Sequence, residues 1–158
     1  MKVRIKKAVR AGNSSAIVLP KSWIGMEVRV EQVKKSSESI LLDVIEILSR
    51  HIKIEEIIGI YLVGSYARKE EKIDSDIDIL VITKNISKKT LVEGMYSIFV
   101  VSEELLNYKL KNDLLPIGQM IFESKPLINS DYLKKIDIVV TKKNVSWYLD
   151  TTEKKLEL

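Results

Sequence analysis

Apolar and polar positions alternate at the start of the chain, with Val3, Ile5 and Val9 interleaved with Arg4, Lys6 and Lys7. A period of two is the period of a strand. AGNSS follows, made of residues that tolerate left-handed or side-chain-bonded turns. AIVLP predicts a second short strand that Pro20 stops, KSWIG a turn, and MEVRVEQV a third alternating strand. KKSSES is polar and marks a boundary. The period then changes. Apolar residues at 40, 41, 44, 45, 48 and 52 predict a helix, capped by Ser37 or Ser39 and carrying Asp43, Glu46 and Arg50 on its other face. His51, at its end, reads as an ordinary surface residue. IIGIYLV, residues 57–63, is β-branched and aromatic, as a buried strand is. It ends at Gly64-Ser65, after which YARKEEK starts a short helix. IDSDIDILVIT predicts the next strand, MYSIFVV (95–101) another, and KIDIVVT, from Asp137 to residue 141, a last one. Ser102 with Glu103 and Glu104 opens a helix, Pro116 opens a shorter one, and Pro126 breaks the chain. SDYLKK is a turn or short helix. Residues 144–158 predict a terminal helix, with Trp147, Tyr148 and Leu149 in apolar contact.

At 158 residues the chain fits one domain, or one domain and a very small second one. The expected boundary separates a β module at 1–35 from a larger domain at 36–158. Strands of this length in ~35 residues bury little surface and need a metal, a disulfide or a partner chain. There is no cysteine, which rules out disulfides and thiolate metal sites. Dimerisation is the expected remedy. No apolar run approaches the ~20 residues that span a bilayer, and the basic N-terminus is not a signal peptide. The expectation is a soluble, cytoplasmic protein with no membrane contact. Charge is uneven: residues 1–35 hold nine Lys/Arg and two acids, the rest 17 and 20. The basic end suits a polyanion, or is a solvated strand face.

Asp76 and Asp78 are two apart at the head of an apolar strand, so they project from one face, roughly 7 Å apart along the chain. Ile77 and Ile79 take the other face. Two such carboxylates repel, and a divalent cation relieves them. Mg²⁺ favours one or two carboxylates with phosphates and water completing its shell. Upstream, the Gly64-Ser65 turn offers backbone N–H groups and a hydroxyl, and Gly64 permits close backbone approach. A turn that seats a triphosphate and aspartates that hold Mg²⁺ complement each other. The bland alternative is a loop at 74–76 and a solvated strand end at Asp78.

Strand, G-S, a spacer of ten residues (66–75), then D-x-D within a strand resembles the DNA polymerase beta-type nucleotidyltransferases, and among them the minimal nucleotidyltransferases. Gly64, Ser65, Ala67, Arg68, Ser75, Asp76 and Asp78 carry the likeness, which covers residues 38 to about 141. It implies an α+β nucleotidyltransferase fold, a mixed sheet flanked by helices. It implies two metal ions and transfer of a nucleoside monophosphate from a nucleoside triphosphate to an acceptor. Asp76 and Asp78 would be catalytic and metal-binding. Gly64, Ser65 and Arg68 would bind nucleotide, Arg68 by pairing with phosphate or else lying on a solvated helix face. Lys69 stands where that pattern has glycine. By analogy, minimal nucleotidyltransferases often work beside a partner protein in toxin–antitoxin pairs.

The first 35 residues resemble the AbrB-type swapped-hairpin domain through Gly12, Asn13, Ser14, Ile17, Leu19, Pro20, Lys21, Gly25, Val28 and Val30. That implies an intertwined homodimer, with Lys2, Arg4, Lys6, Lys7 and Arg10, along with Asn13 and Lys21, meeting DNA phosphates. A module that only dimerises the chain is the alternative.

The nucleotidyltransferase pattern also asks for a third carboxylate on the next strand. MYSIFVV has none, and Ser97 stands about where it is expected. Glu93 and Asp137 are the nearest substitutes. Two functions therefore stand side by side: a Mg²⁺-dependent nucleotidyltransferase, or a non-catalytic DNA-binding regulator, an antitoxin-like homodimer with a degenerate nucleotide-binding domain.

Overall fold

A computed structural model describes residues 3–156, without the side chains of residues 88, 89 and 153–156. Contacts divide the chain into two units, 1–32 and 33–158.

In the first unit, Val9–Ala11 (β1) and Ser14–Ala16 (β2) form an antiparallel hairpin in which Ala11 pairs with Ser14. Gly12 closes it at φ +60, a backbone that glycine adopts without steric cost. Lys21–Trp23 is a single 3-10 turn. The strands expected over residues 3–8 and 26–33 do not form, and the second strand is shorter and earlier than AIVLP predicts. A strand exists only as part of a ladder, and the three-residue hairpin offers them no edge long enough. Their apolar side is left in solvent: Val3, Ile5, Met26, Val28 and Val30 are all exposed.

The second unit is α+β. Its mixed sheet has the order β5-β6-β4-β3-β7. The strands are Ile57–Val63 (β3), Ile77–Thr83 (β4), Lys88–Glu93 (β5), Tyr96–Ser102 (β6) and Lys125–Ile128 (β7). β4 and β6 run parallel and the other neighbours antiparallel. The helices are Ser37–Ser49 (α1), Gly64–Arg68 (α2), Glu103–Asn112 (α3), Ile117–Glu123 (α4), Ser130–Lys134 (α5) and Lys142–Leu156 (α6). Among the described residues no helix is long and apolar enough to cross a membrane.

Alternation sorts the sheet's two faces. Ile60, Leu62, Ile77, Ile79, Val81, Ile98 and Val100 join Ile40, Val44 and Leu48 of α1 in one core. Tyr61, Val63, Leu80, Ile82 and Val101 join Leu106 of α3 and Ile117 and Ile121 of α4 in the other. Both faces are apolar, and a slip of one residue in β4 would turn the Asp78 carboxyl into the α1 core, so burial fixes its register. Asp78 therefore lies opposite Val63 on one side and Ser97 on the other.

Several expectations need correction. The cap of α1 is Ser36, whose hydroxyl accepts from the Ser39 N–H at 3.2 Å. Asp43, on the polar face of α1, is half-buried, accepts from the Tyr96 hydroxyl at 2.6 Å and pairs with Lys35. Residues 88–93, with no clear pattern, form a hairpin with β6 through Gly94 at φ +57. Residues 137–141 form no strand. The last strand is instead β7, and it contains Pro126. Proline lacks the N–H a central strand needs, but β7 is an edge, where it is tolerated.

Candidate active site

β3 ends at Val63 and the chain turns at Gly64, whose φ is +67. A Cβ on Gly64 would sit 2.4 Å from Asp78 Oδ2. Space and backbone both demand glycine here, because the register of β3 with β4 brings the Asp78 carboxyl against this turn. Gly64 opens the five residues of α2, and Lys69 ends them in the left-handed region at φ 60, donating its N–H back to the last turn. The turn that glycine makes in the resembled pattern is thus retained here by a lysine.

Gly64, Ser65, Arg68 and Asp78 line one cavity of about 420 Å³, together with Phe99 of β6 and Gln119, Met120 and Glu123 of α4. Four of the five positions singled out from the sequence thus share one space. Asp76 does not line it: it is exposed, one residue ahead of β4. Its charge nonetheless reaches Asp78. Burial first, then the negative charges of Asp76 and Glu123, push the Asp78 carboxyl above its ordinary pKa, against a smaller opposite pull from Arg68.

Glu123 has no signal in the sequence. It is the last residue of a short helix, 59 residues beyond Gly64, with no spacing relation to either motif. It accepts from the Gly64 N–H at 3.1 Å through Oε1 and from Arg68 Nη1 at 2.8 Å through Oε2. Arg68 Nε donates to Glu70 at 2.8 Å. Arg68 therefore lines the cavity with its guanidinium already paired; two acids hold it.

Neither substitute for the third carboxylate stands beside Asp78. Glu93 pairs in register with Tyr96, whose ring belongs to the α1 side of the sheet, and its carboxylate is bound to Arg50. Asp78 faces the other side. Asp137 is exposed and lines a different cavity of about 570 Å³, with Glu103, Lys111 and Tyr132. Ser97 is the residue across from Asp78. Among the described residues no group of three or more His, Asp or Glu is arranged to hold a metal ion. His51 is exposed. Asp76 and Asp78 are hard oxygen donors, and two of them suit one Mg²⁺ whose remaining positions go to phosphate and water.

Of the basic residues near the N-terminus, Arg4, Lys6, Lys7 and Arg10 are all exposed, Arg10 Nε donating to the Gly12 carbonyl at 3.3 Å. Lys2 lies outside the described residues.

A family model described as the nucleotidyltransferase domain matches residues 41–150. Among solved structures, the chain is similar to a candidate nucleotidyltransferase from Sulfolobus solfataricus, with 22% identity over 48% of this chain and 82% of that one, at a TM-score of 0.33. It is also similar to a toxin–antitoxin solved with AMP-PNP, with 20% identity over 73% of this chain and 92% of that one, at a TM-score of 0.38. No curated protein matches the chain.

Proposed function

The chain belongs to the nucleotidyltransferase domain family, and from that premise we propose that it moves a nucleoside monophosphate from a nucleoside triphosphate to an acceptor hydroxyl, with Mg²⁺: the acceptor oxygen bonds to the α-phosphorus, the α–β phosphoanhydride bond breaks, pyrophosphate leaves and the hydroxyl proton is lost to solvent. The observation that carries this reading is the convergence of the Gly64-Ser65 turn and the Asp78 carboxyl on one cavity. Asp76 and Asp78 would hold the metal, which when bound supplies neutralisation of charge on the phosphates. The raised pKa of Asp78 supports this: a carboxyl crowded by burial and two other acids gains more from a cation than a solvated one does. The Ser65 hydroxyl and the backbone of the turn would orient the phosphate tail. The Arg68 guanidinium would pair with a phosphate oxygen once released from its acids. Phe99 and Met120 give the cavity an apolar wall that excludes water from part of the ligand.

Residues 1–35, with Lys2, Arg4, Lys6, Lys7 and Arg10, are read as an AbrB-like module that pairs two copies and meets DNA phosphates. The exposed valines and isoleucines of that segment support the pairing, and the exposed cations support the DNA contact. The absence of cysteine fits a reducing cytoplasm. A protein partner is a further part of this reading, by analogy with minimal nucleotidyltransferases.

One observation favours a second reading. Ser97 occupies the position opposite Asp78 where a third carboxylate would activate the acceptor. A domain that binds nucleotide without transferring it, serving a DNA-binding regulator, fits that serine. Incubation with labelled nucleoside triphosphates and Mg²⁺ separates the two. The transferase reading expects label on an acceptor with the parent chain and loss of at least about a hundredfold in Asp78→Ala and Asp76→Ala. Nucleotide binding with no transfer under any acceptor supports the regulator.

A further inference from the structure

The cavity that would take phosphate already holds an anion, and it is part of the chain. Glu123 Oε1 accepts the Gly64 N–H and Oε2 accepts from Arg68 Nη1, so one carboxylate ties up two of the groups that a phosphate would seek there. Glu70 also holds Arg68, through Nε. The two acids are not equivalent. The Glu70 side chain is 63% exposed, and water competes with its contact. The Glu123 side chain is only 14% exposed. Its hydrogen bonds are charge-assisted and partly screened from solvent, which makes them the stronger pair. Glu123 also stands at the end of α4, beside a helix terminus that repels negative charge. What holds its carboxylate there is the Gly64 turn and Arg68.

We propose that Glu123 is a specificity-determining latch: its carboxylate competes with anionic ligands for Arg68 and the Gly64 N–H, so that only a ligand offering more than one phosphoryl group to the cavity displaces it. The proposal rests on the reading of this cavity as a phosphate site. A single phosphate returns no more hydrogen bonds than Glu123 gives up and adds a negative charge beside Asp78. A triphosphate, with several oxygens, replaces both lost bonds and still has oxygens to spare. The latch thereby discriminates a triphosphate from a single phosphate, a preference suited to a site that takes a triphosphate as its substrate. No bond is made or broken; the carboxylate rotates away and Arg68 changes partner.

The test is calorimetric titration of the full chain with inorganic tripolyphosphate and with inorganic phosphate, both without metal. Glu123→Gln keeps the side-chain volume and an acceptor for Gly64 while removing the charge. It is expected to bind tripolyphosphate about tenfold more tightly than the parent and to gain measurable affinity for phosphate, so that discrimination falls. Glu123→Ala is expected to do the same, and adding Arg68→Ala is expected to cancel the gain. Should the glutamine variant fold and bind tripolyphosphate no more tightly than the parent, the latch is refuted. Transfer activity is scored in the same proteins. Tighter tripolyphosphate binding with no transfer keeps the latch and removes the transferase reading. Transfer in the parent with unchanged affinities in the variants removes the latch alone.

Discussion

Asp78 is held at a disadvantage in its charged form. It is half-buried, it faces Asp76 and Glu123 through space, and only Arg68 opposes them. Because its carboxyl titrates above the ordinary range, the folded state binds the proton more tightly than the unfolded chain does. Stability from this group is therefore complete below the usual carboxylate pKa and is lost as pH rises through the raised value. Asp78→Asn removes the charge and with it the penalty. The variant is expected to melt at a higher temperature than the parent at neutral pH, with the difference closing by about pH 3, where both are uncharged. Thermal unfolding at a series of pH values reads this directly, and equal melting temperatures at neutral pH would contradict it. The strained carboxyl is a stability cost carried at a candidate functional site, and its removal exchanges activity for stability.

At the scale of the element, α2 shows how local chemistry can depart from a pattern and keep the shape. The helix must stop after Arg68 so that the chain can return to β4, and it stops by placing Lys69 in the left-handed region. A side chain there costs about 1–2 kcal/mol. Glycine escapes that cost but loses about 0.5–1 kcal/mol to the freedom it gains when unfolded. Lys69→Gly is therefore expected to stabilise the chain by about 0.5 kcal/mol, as the difference of those two terms. A shift of the urea midpoint to higher concentration at unchanged slope would show it, whereas a fall would mean that the lysine side chain contributes more than its backbone costs. β7 teaches the complementary point. Pro126 reads locally as a chain breaker, yet it sits within a strand, because the free edge of β3 asks for a partner and an edge position spares the missing N–H.

The molecule as a whole joins two units of unequal means. The second, residues 33–158, has two cores on either side of one sheet. The first, residues 1–32, has a three-residue hairpin and exposed apolar side chains such as Ile5 and Val30. On the AbrB-like reading those side chains belong in a ladder shared with a second copy. Sedimentation of the full chain is expected to give a dimer, and Ile5→Glu with Val30→Glu a monomer of unchanged helix content. DNA affinity is expected to fall steeply with salt, and Arg4→Ala with Lys6→Ala to flatten the log–log slope by about two, one phosphate contact each. A monomeric parent, or a slope untouched by those changes, would leave the basic end as a solvated face. What the amino-acid order determined alone was whatever one segment encodes within itself. The strand at 57–63 and the start of the following turn at Gly64 are legible because side-chain period and composition are local properties. So is the placing of Asp78 opposite in face to Ile77 and Ile79. Only the tertiary structure decided which acids meet. Glu123 reaches Arg68 across 55 residues, Ser97 falls opposite Asp78, and Glu93 is turned to the other face of the sheet. Those outcomes depend on strand register and on which edges are left to pair, and registers are set by the burial of both faces at once, which no single segment carries.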